Sequence, residues 1–498
     1  MAPEFADLLA PVEVPEALAR WRPSGLDNDS RRMAPDGLFL AYKGGQTDGK
    51  NYLQEAAARG AKAALVDVLD VSAWHHIGMP LVFYPELSSQ LGRLSGRYYH
   101  WPDRTLPLAA VTGTAGKTTT AWLTAQLLQR LNTACGYIGT LGAGQVGGEM
   151  LPLDNTTPDL LSMRRVLYQL KEQQQIQAAV LEASSEGLAQ HRVSDLEIRV
   201  AVLTNLGQDH VQAHGGIKGL KAAKRALFEL PSVQSAVINS DDAFGREIVT
   251  YLRAQRPDVA LITYGTRADA QLRLSFAQDG CQLHLQDGLD TGASDSWRLP
   301  PLMGRHNQYN LCAALAILMA LGYPEAAIES MLSVKAPLRL PAGRLQHVFA
   351  QPDCYVDYAH SPEALEAALD AVRALTASRV ICVFGCGGGR DRDKRALMGQ
   401  VASAKADLVI LTSDNPRHED NQAIVADIVA GIASSVEYQV DADRAGAIAS
   451  ALSQAGPQDS VLIAGKGHEN YQIVGDQRVP LCDVTVAHAW RQNNARRF

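Results

Sequence analysis

The stretch Val111-Thr-Gly-Thr-Ala-Gly-Lys-Thr-Thr-Thr120 follows an apolar segment over 108–112 and opens a helical run over 121–131. Strand, glycine loop and helix in that order constrain the fold more tightly than anything else in the chain. Glycines let backbone N–H groups approach an anion, and the helix N-terminus turns its dipole toward it. Such a loop must hang from a sheet, which predicts an α/β architecture. Within it Gly113, Thr114, Ala115, Gly116, Lys117, Thr118 and Thr119 would cradle the phosphates of a nucleotide. Lys117 would reach the outer phosphates and the Thr118 hydroxyl would hold Mg²⁺. The full eight-residue pattern has Gly where this chain has Val111, so the match is to a shortened Gly-x-x-Gly-Lys-Thr form. A ligand-free glycine turn is the plain alternative; Gly-Lys-Thr in this context favours the nucleotide.

The same alternation continues downstream. Apolar segments at 178–182, 200–205, 236–239 and 260–264, with helical patterns between, predict a mostly parallel sheet covered by helices. Segments 271–276 and 282–286 read as a hairpin turned at Asp279-Gly280, and an alanine-rich helix starts near Asn307. A second alternation, at 355–358, 380–384, 408–412 and 461–464, reads as a Rossmann-like domain. The proline-bearing stretches 100–107 and 336–343 read as linkers. Before the first come strand-like segments at 37–42 and 61–67 and a helix over 52–60. The expectation is three domains: a smaller N-terminal α/β domain over 1–105, a central P-loop domain over 106–337 and a Rossmann-like domain over 338–498. The chain's 498 residues agree with that division at roughly 150 residues per domain.

Composition removes several classes of function. With 46% hydrophobic and 20% charged residues, the chain is not disordered or fibrous. A net charge of -7 without a basic tail, and 6% aromatics, argue against nucleic acid as a partner. The seven cysteines are scattered without a CxxC pair, as expected of reduced thiols rather than a disulfide frame or metal cluster. The N-terminus shows no basic segment leading into an apolar one, and the longest apolar run, 311–321, is too short to span a bilayer. A cytoplasmic monomer with no membrane span is expected.

Several polar residues sit where strands should end, outside the carboxyl edge at which α/β sheets collect ligands. Glu182 and Ser184 close one strand; Asp209 and His210 follow the next. A carboxylate and an imidazole near phosphates suit a second Mg²⁺, although a strand-end acid is more often a solvated loop residue. Lys224 lies on a helical pattern among other lysines and, read alone, is one of several exposed charges. Asp414, Asn415 and Arg417 follow the apolar segment at 408–412.

These motifs in this order resemble the Mur ligase family, the ATP-dependent amide-forming enzymes of peptidoglycan precursor synthesis, over nearly the whole chain. The resemblance implies ATP and Mg²⁺ as cofactors and a carbamylated Lys224. A carbamate is an anionic oxygen donor for a hard cation, whereas an ammonium would repel it. It implies Thr118, Glu182, His210 and the Lys224 carbamate as metal ligands, and Lys117, Lys224, His210 and Glu182 as the catalytic group. Asn307 would contact adenine, and Asn310 would cap or pack. Arg344 and Asp357 would close the third domain on the nucleotide, although such an arginine could equally make a structural salt bridge. Ser30 would meet the diphosphate or the uracil of a UDP-sugar peptide. Thr156, Thr157, Ser184, Gln190 and Arg192 would hold the rest of it.

The resemblance further implies that the chain adds meso-2,6-diaminopimelate to UDP-MurNAc-L-Ala-D-Glu through an acyl phosphate. The Asp414-Asn-Pro-Arg417 box goes with diaminopimelate rather than lysine: an arginine fork holds the distal carboxylate that lysine lacks. Arg390, Gly465 and Glu469 complete that set. Departures from the family pattern are Glu186 where His is frequent, Val211-Gln212 in place of Leu-Asp, and Gly389 in place of Asp. Alternatives are a lysine-adding relative, a folylpolyglutamate synthase-like ligase, or an ATP-binding switch protein without catalysis. Retention of Glu182, His210 and Lys224 speaks against the last, since a nucleotide sensor needs no second metal site.

Overall fold

A computed structural model describes residues 2–44, 47–207, 209, 211–277, 280–286, 296–334, 336–389 and 391–494. They fall into two compact units, one of Met1–Leu108, Ala134–Ala179 and Glu186–Ile198, the other of Ala109–Thr133, Val180–Ser185 and Arg199–Phe498.

The first unit is built on a four-stranded parallel sheet, Leu26–Asp27, Gly37–Ala41, Ala61–Val66 and Leu81–Phe83 in spatial order. Its apolar residues alternate between faces, as a strand period of two demands. Leu38, Leu40, Ala63 and Leu65 pack with Phe5, Leu94 and Tyr98. Phe39, Ala41, Ala64 and Val66 pack with Leu53 and Ala56 on the other side. The antiparallel pair Cys135–Gly139 and Gly142–Gln145 and the helix Leu160–Gln174 belong to the same unit. The stretch 100–107, read as a linker, carries a helical turn, and the first unit's opening segment ends just beyond it at Leu108. Trp101 takes a left-handed conformation and Pro102–Thr105 forms the turn, because proline at the first helical position is pre-set for that backbone.

The second unit holds two sheets. The first runs Ser296–Arg298, Gly280–Leu285, Leu272–Ala277, Ala260–Gly265, Ser235–Asn239, Ile198–Leu203, Leu108–Thr112 and Ala178–Glu182. The phosphate-loop strand thus lies between strands that come later in the chain, and a crevice opens at such a reversal of strand order. Leu272–Ala277 and Gly280–Leu285 form the expected hairpin; Asp279 lies outside the described residues. The second sheet, Gln346–Phe349, Asp353–Asp357, Ser460–Ala464, Val380–Phe384, Leu408–Leu411 and Tyr438–Val440, is parallel except for its first strand. Helices cover both its faces. Val380, Cys382 and Phe384 pack with Leu369, Met398 and Ile428, while Ile381 and Val383 pack with Ile448, Leu452 and Trp490. The fold is the mixed α/β arrangement that the alternation predicts. None of the seven cysteines forms a disulfide, and among the described residues no helix is long and apolar enough to cross a membrane.

Candidate active site

The loop between Thr112 and Lys117 is held open from one side. Thr114 N–H donates to the Asn205 carbonyl at 3.0 Å, Ala115 N–H to Asn205 Oδ1 at 2.9 Å, and Thr204 Oγ1 to the Ala115 carbonyl at 2.6 Å. Gly116 turns the chain into the helix Lys117–Arg130 with φ +85, a conformation that a side chain at this position would oppose. Lys117 Nζ folds over the loop, donating to the carbonyls of Gly113 (2.9 Å) and Thr114 (3.1 Å). Thr118 Oγ1 donates to Glu182 Oε2 at 2.9 Å and accepts from Arg344 Nη2 at 3.3 Å. Thr118, Thr119 and Glu182 are buried. Arg344 lies over the Tyr358 ring, 4.4 Å from its centroid. The Asp357 carboxylate accepts from the backbone N–H groups of Leu345 (2.6 Å) and Ala359 (2.8 Å) and so shapes the chain next to Arg344; its burial pushes its pKa up. Asn307 Nδ2 donates to the Met303 carbonyl, and Asn310 bridges Asn307 Oδ1 and the Thr120 hydroxyl. Asn310 is therefore a packing residue between two helices.

Lys224 is not an exposed charge. It sits on the helix Ile217–Arg225, buried with Leu220 and Ala223, and among the described residues no hydrogen bond or ion pair holds its ammonium. Burial, reinforced by the positive charge of Lys117, holds its pKa well below that of a free lysine. Lys117 is also depressed by burial, against the pull of Glu182 and Asp209. Glu182, bonded to the Thr118 hydroxyl, and Asp209 act on Lys117, and Asp209 and Asp242 act on Lys224; Asp209 meets His360 Nε2 at 3.2 Å and Lys394 Nζ at 3.8 Å. Carboxylate and hydroxyl oxygens of this kind suit a hard cation such as Mg²⁺. Among the described residues no three His, Cys, Asp or Glu side chains converge as a ready-made metal cluster. His210 lies outside the described residues.

A second constellation occupies the strand ends of the C-terminal sheet. The Asn415 amide is oriented by its partners: Oδ1 accepts from Lys466 Nζ (3.1 Å) and Ile473 N–H (2.9 Å), which leaves Nδ2 to donate to Glu469 Oε2 at 2.9 Å. Lys466 Nζ also lies 2.8 Å from Glu469 Oε2. Burial pushes the Glu469 carboxyl up, but these two partners outweigh it and hold the group below its ordinary range. Asp414 Oδ1 accepts from Asn415 N–H at 2.7 Å. Gly465 has φ +111, and a Cβ there would stand 2.7 Å from Asp414 Oδ2. Arg417 takes φ +54 and is pinned through its backbone to Ile473 and Gly475, with Nη1 2.8 Å from the Gly388 carbonyl. Asp414, Asn415, Arg417, Gly465 and Glu469 thus lie on one connected network; Arg390 lies outside the described residues.

In the first unit a cavity of about 660 Å³ is lined by residues that include Asn28, Ser30, Arg32, Tyr42, Asp154 and Arg165. The Ser30 hydroxyl donates to Glu55 Oε2 at 2.9 Å. The buried Asp27 carboxylate pairs with both Arg32 (3.2 Å) and Arg165 (2.5 Å), and Arg32 also reaches Asp154 at 3.1 Å. Thr156 Oγ1 meets Thr140 Oγ1 at 3.2 Å. Arg192 is braced by the Thr157 carbonyl (2.8 Å) and Gln190 Oε1 (2.6 Å), and Gln190 reaches back to Glu186 at 3.2 Å. The departure at Glu186 therefore anchors a candidate binding residue. Ser184, half-buried, belongs to the second unit, just before the helix Ser185–Ala189.

Sequence reasoning missed Asn205, Arg165, His360 and Lys466. Asn205 directly follows an apolar strand beside the phosphate loop, a signal that could have found it. Lys466 between two glycines reads as a turn, and nothing local marks it as buried.

Three family models cover most of the chain. These are a Mur ligase catalytic domain over residues 23–95, a Mur ligase middle domain over 111–318 and a Mur ligase glutamate ligase domain over 343–467. A UDP-N-acetylmuramoyl-L-alanyl-D-glutamate–2,6-diaminopimelate ligase of Ectopseudomonas mendocina is 42% identical over 477 residues, covering 94% of this chain and 95% of that protein. The ligase of the same name from Pseudomonas aeruginosa is 40% identical over 474 residues, with 94% and 95% covered. A solved structure of a ligase of this name matches with a TM-score of 0.64 at 32% identity, over 99% of this chain and 100% of that one.

Proposed function

Since the chain belongs to the Mur ligase family, we propose that it joins meso-2,6-diaminopimelate to UDP-MurNAc-L-Ala-D-Glu at the expense of ATP. The observation that carries this reading is the contact of Arg344 with Thr118 at 3.3 Å. It links the phosphate loop to the chain that leads into the sheet bearing the Asp414–Arg417 and Gly465–Glu469 loops, as a two-step ligation requires.

In the first step the γ-phosphoryl group of ATP passes to the γ-carboxylate of the D-glutamyl residue, giving an acyl phosphate and ADP. Lys117 and the loop N–H groups hold the outer phosphates in place, since phosphoryl transfer is governed by positioning and charge. Arg344 adds a guanidinium to the same face of Thr118. Mg²⁺, for which Thr118, Glu182, His210 and a carbamate on Lys224 are the proposed ligands, would offset charge on the transferring group when bound. The depressed, unpaired amine of Lys224 supports the modification: only a neutral amine adds to CO₂, and the product exchanges a repelling ammonium for an anionic donor. Asn307 is proposed on the adenine side and Asp357 as the brace of Arg344.

In the second step the amino group of diaminopimelate attacks the acyl carbon. The C–N bond forms as the bond from the acyl carbon to phosphate breaks, and the proton the amine gives up is carried off in the released HPO₄²⁻. Glu469 and Asp414 would face the ammonium of the distal centre, and Arg417 with Arg390 its carboxylate. A polar site of this kind rejects an analogue lacking the bonded group by about 10⁴-fold, which is the discrimination expected against lysine. In the first unit, Ser30 with the cavity beside Arg32 and Arg165 would receive the uridine diphosphate end, while Thr156, Thr157, Ser184, Gln190 and Arg192 would receive the sugar and peptide.

The test is phosphate release from ATP with UDP-MurNAc-L-Ala-D-Glu and a panel of amino acids. Release with diaminopimelate and not with lysine is expected. Release with lysine alone would refute the specificity, and no release with any amino acid would favour a non-catalytic nucleotide-binding protein.

A further inference from the structure

We infer that Lys466 is a positioning residue for the incoming amino acid: its buried ammonium fixes which atoms of Asn415 and Glu469 face the ligand. This rests on the reading of these loops as the diaminopimelate site. Lys466 is wholly buried at the carboxyl end of the strand Ser460–Ala464. Its Nζ lies 3.1 Å from Asn415 Oδ1 and 2.8 Å from Glu469 Oε2, with the Tyr471 ring 5.7 Å away.

Two consequences follow from donor and acceptor arithmetic. A lysine ammonium only donates, so the Asn415 oxygen is forced toward it and the NH₂ group toward Glu469. Without Lys466, a flip of that amide would be opposed by one donor fewer, leaving Ile473 N–H on the oxygen and Glu469 on the NH₂ group. Glu469 Oε2 then receives both Lys466 and Asn415 Nδ2. Its second oxygen, Oε1, has no protein partner among the described residues and is the acceptor left for a substrate ammonium.

The charges point the same way. Asp414 and Glu469 are two carboxylates within a network that also carries Arg417, and Lys466 is the cation in direct contact with Glu469, at 2.8 Å. Removing Lys466 would leave the Glu469 carboxylate held, among the described residues, by Asn415 Nδ2 alone, with its charge no longer offset at contact distance. The energetic consequence falls on ligand capture, because Lys466 is enclosed by protein and is not placed to touch the reacting carboxyl.

Lys466→Gln keeps a donor and Lys466→Met keeps only the stem. With steady-state phosphate release as the readout, Lys466→Met should raise KM for diaminopimelate about 10- to 100-fold, the fold-change of losing one hydrogen bond to a charged group. KM for ATP and for the UDP-sugar peptide should stay within about twofold, and Lys466→Gln should fall between wild type and Met. In the Asn415→Ala background, Lys466→Met should cost less than it does alone, because the part of its effect that runs through Asn415 is already lost while its contact with Glu469 remains. Additive effects in the double variant, or equal rises in all three KM values, would mark Lys466 as a general structural residue and overturn the inference. An unaltered diaminopimelate KM in both variants, in a chain whose wild type uses that amino acid, would overturn it while sparing the proposed function. A wild-type chain that releases no phosphate with diaminopimelate would overturn both. Should Lys466→Met fail to fold, the Gln variant alone decides by the same split.

Discussion

Beneath the proposed amino-acid site lies a buried ion pair whose removal has a calculable cost. Arg444 and Asp483 are both fully buried, and the guanidinium meets the carboxylate with two contacts of 2.7 Å each. Arg444 Nη2 also donates to the Ala464 carbonyl at 2.9 Å, and Nη1 lies 3.4 Å from the Ser413 carbonyl. The residues that follow those two carbonyls are Gly465 and Asp414. Arg444→Met would leave the Asp483 carboxylate uncompensated in the interior, at a cost of about 3–5 kcal/mol. In a domain of 150–250 residues each kcal/mol shifts the unfolding midpoint by about 2–4 °C, so a fall of roughly 6–20 °C is expected in the transition of the C-terminal sheet. The Arg444→Met, Asp483→Leu double variant should recover most of this, because an apolar pair of similar volume is often no worse than a buried ion pair. Calorimetry on the full chain gives the midpoints, and hydrogen exchange over Ser460–Ala464 shows whether the loss is local. A single variant melting within about 2 °C of wild type would refute the reasoning. So would a double variant as unstable as the sum of the singles.

Lys224→Ala should lower phosphate release by about 10²–10³-fold, the scale of losing one electrostatic partner of the transferring group, and added formate or acetate should restore part of it; a fully active variant would remove the carbamate from the mechanism. Gly465→Ala places a Cβ 2.7 Å from Asp414 Oδ2 at φ +111. It should cost about 1–3 kcal/mol in backbone strain, seen as a lowered melting midpoint and a raised KM for diaminopimelate without a change in that for ATP. Glu419 is held down to about 2, from an ordinary 4.5, chiefly by its hydrogen bond from Arg395. A carboxyl depressed in the folded state adds stability that is complete above its unfolded pKa and is lost as pH falls through the folded value. Melting midpoints should therefore decline between pH 4.5 and pH 2, and Glu419→Gln should lower the neutral-pH midpoint while flattening that decline.

What could be read in advance follows from the range over which each signal acts. The strands Leu108–Thr112, Ala178–Glu182 and Val380–Phe384 lie where the apolar runs put them, because a buried strand is specified by its own residues. The phosphate loop is likewise local, seven residues between a strand and a helix. Lys224 was within reach too. It stands four residues after Leu220 and beside Ala223 on the buried stripe of its helix, and that spacing outweighs the presence of other lysines nearby. Lys466 was not within reach. Its burial depends on Asn415 and on Ile473, which donates to the Asn415 oxygen from 58 residues away, and no pattern around Gly465-Lys-Gly467 records that.

Total charge fails as a guide for the same reason of scale. A chain of net -7 places Lys117, Lys224 and Arg344 around one loop, with Glu182 and Asp209 as the counter-charges acting on Lys117. Burial and, after it, the charge of Lys117 work against a proton on Lys224, which has no hydrogen-bonded partner among the described residues and yields. That repulsion is a reason for the chemistry proposed at Lys224. An amine kept neutral by burial, and further by a neighbouring cation, is available to CO₂, and the anion so formed relieves that repulsion. Lys117→Met should therefore raise the pKa of Lys224 and reduce its carbamylation. Carbamate ¹³C signal from labelled bicarbonate is the measurement, and an undiminished signal in the variant would break the link between the two lysines.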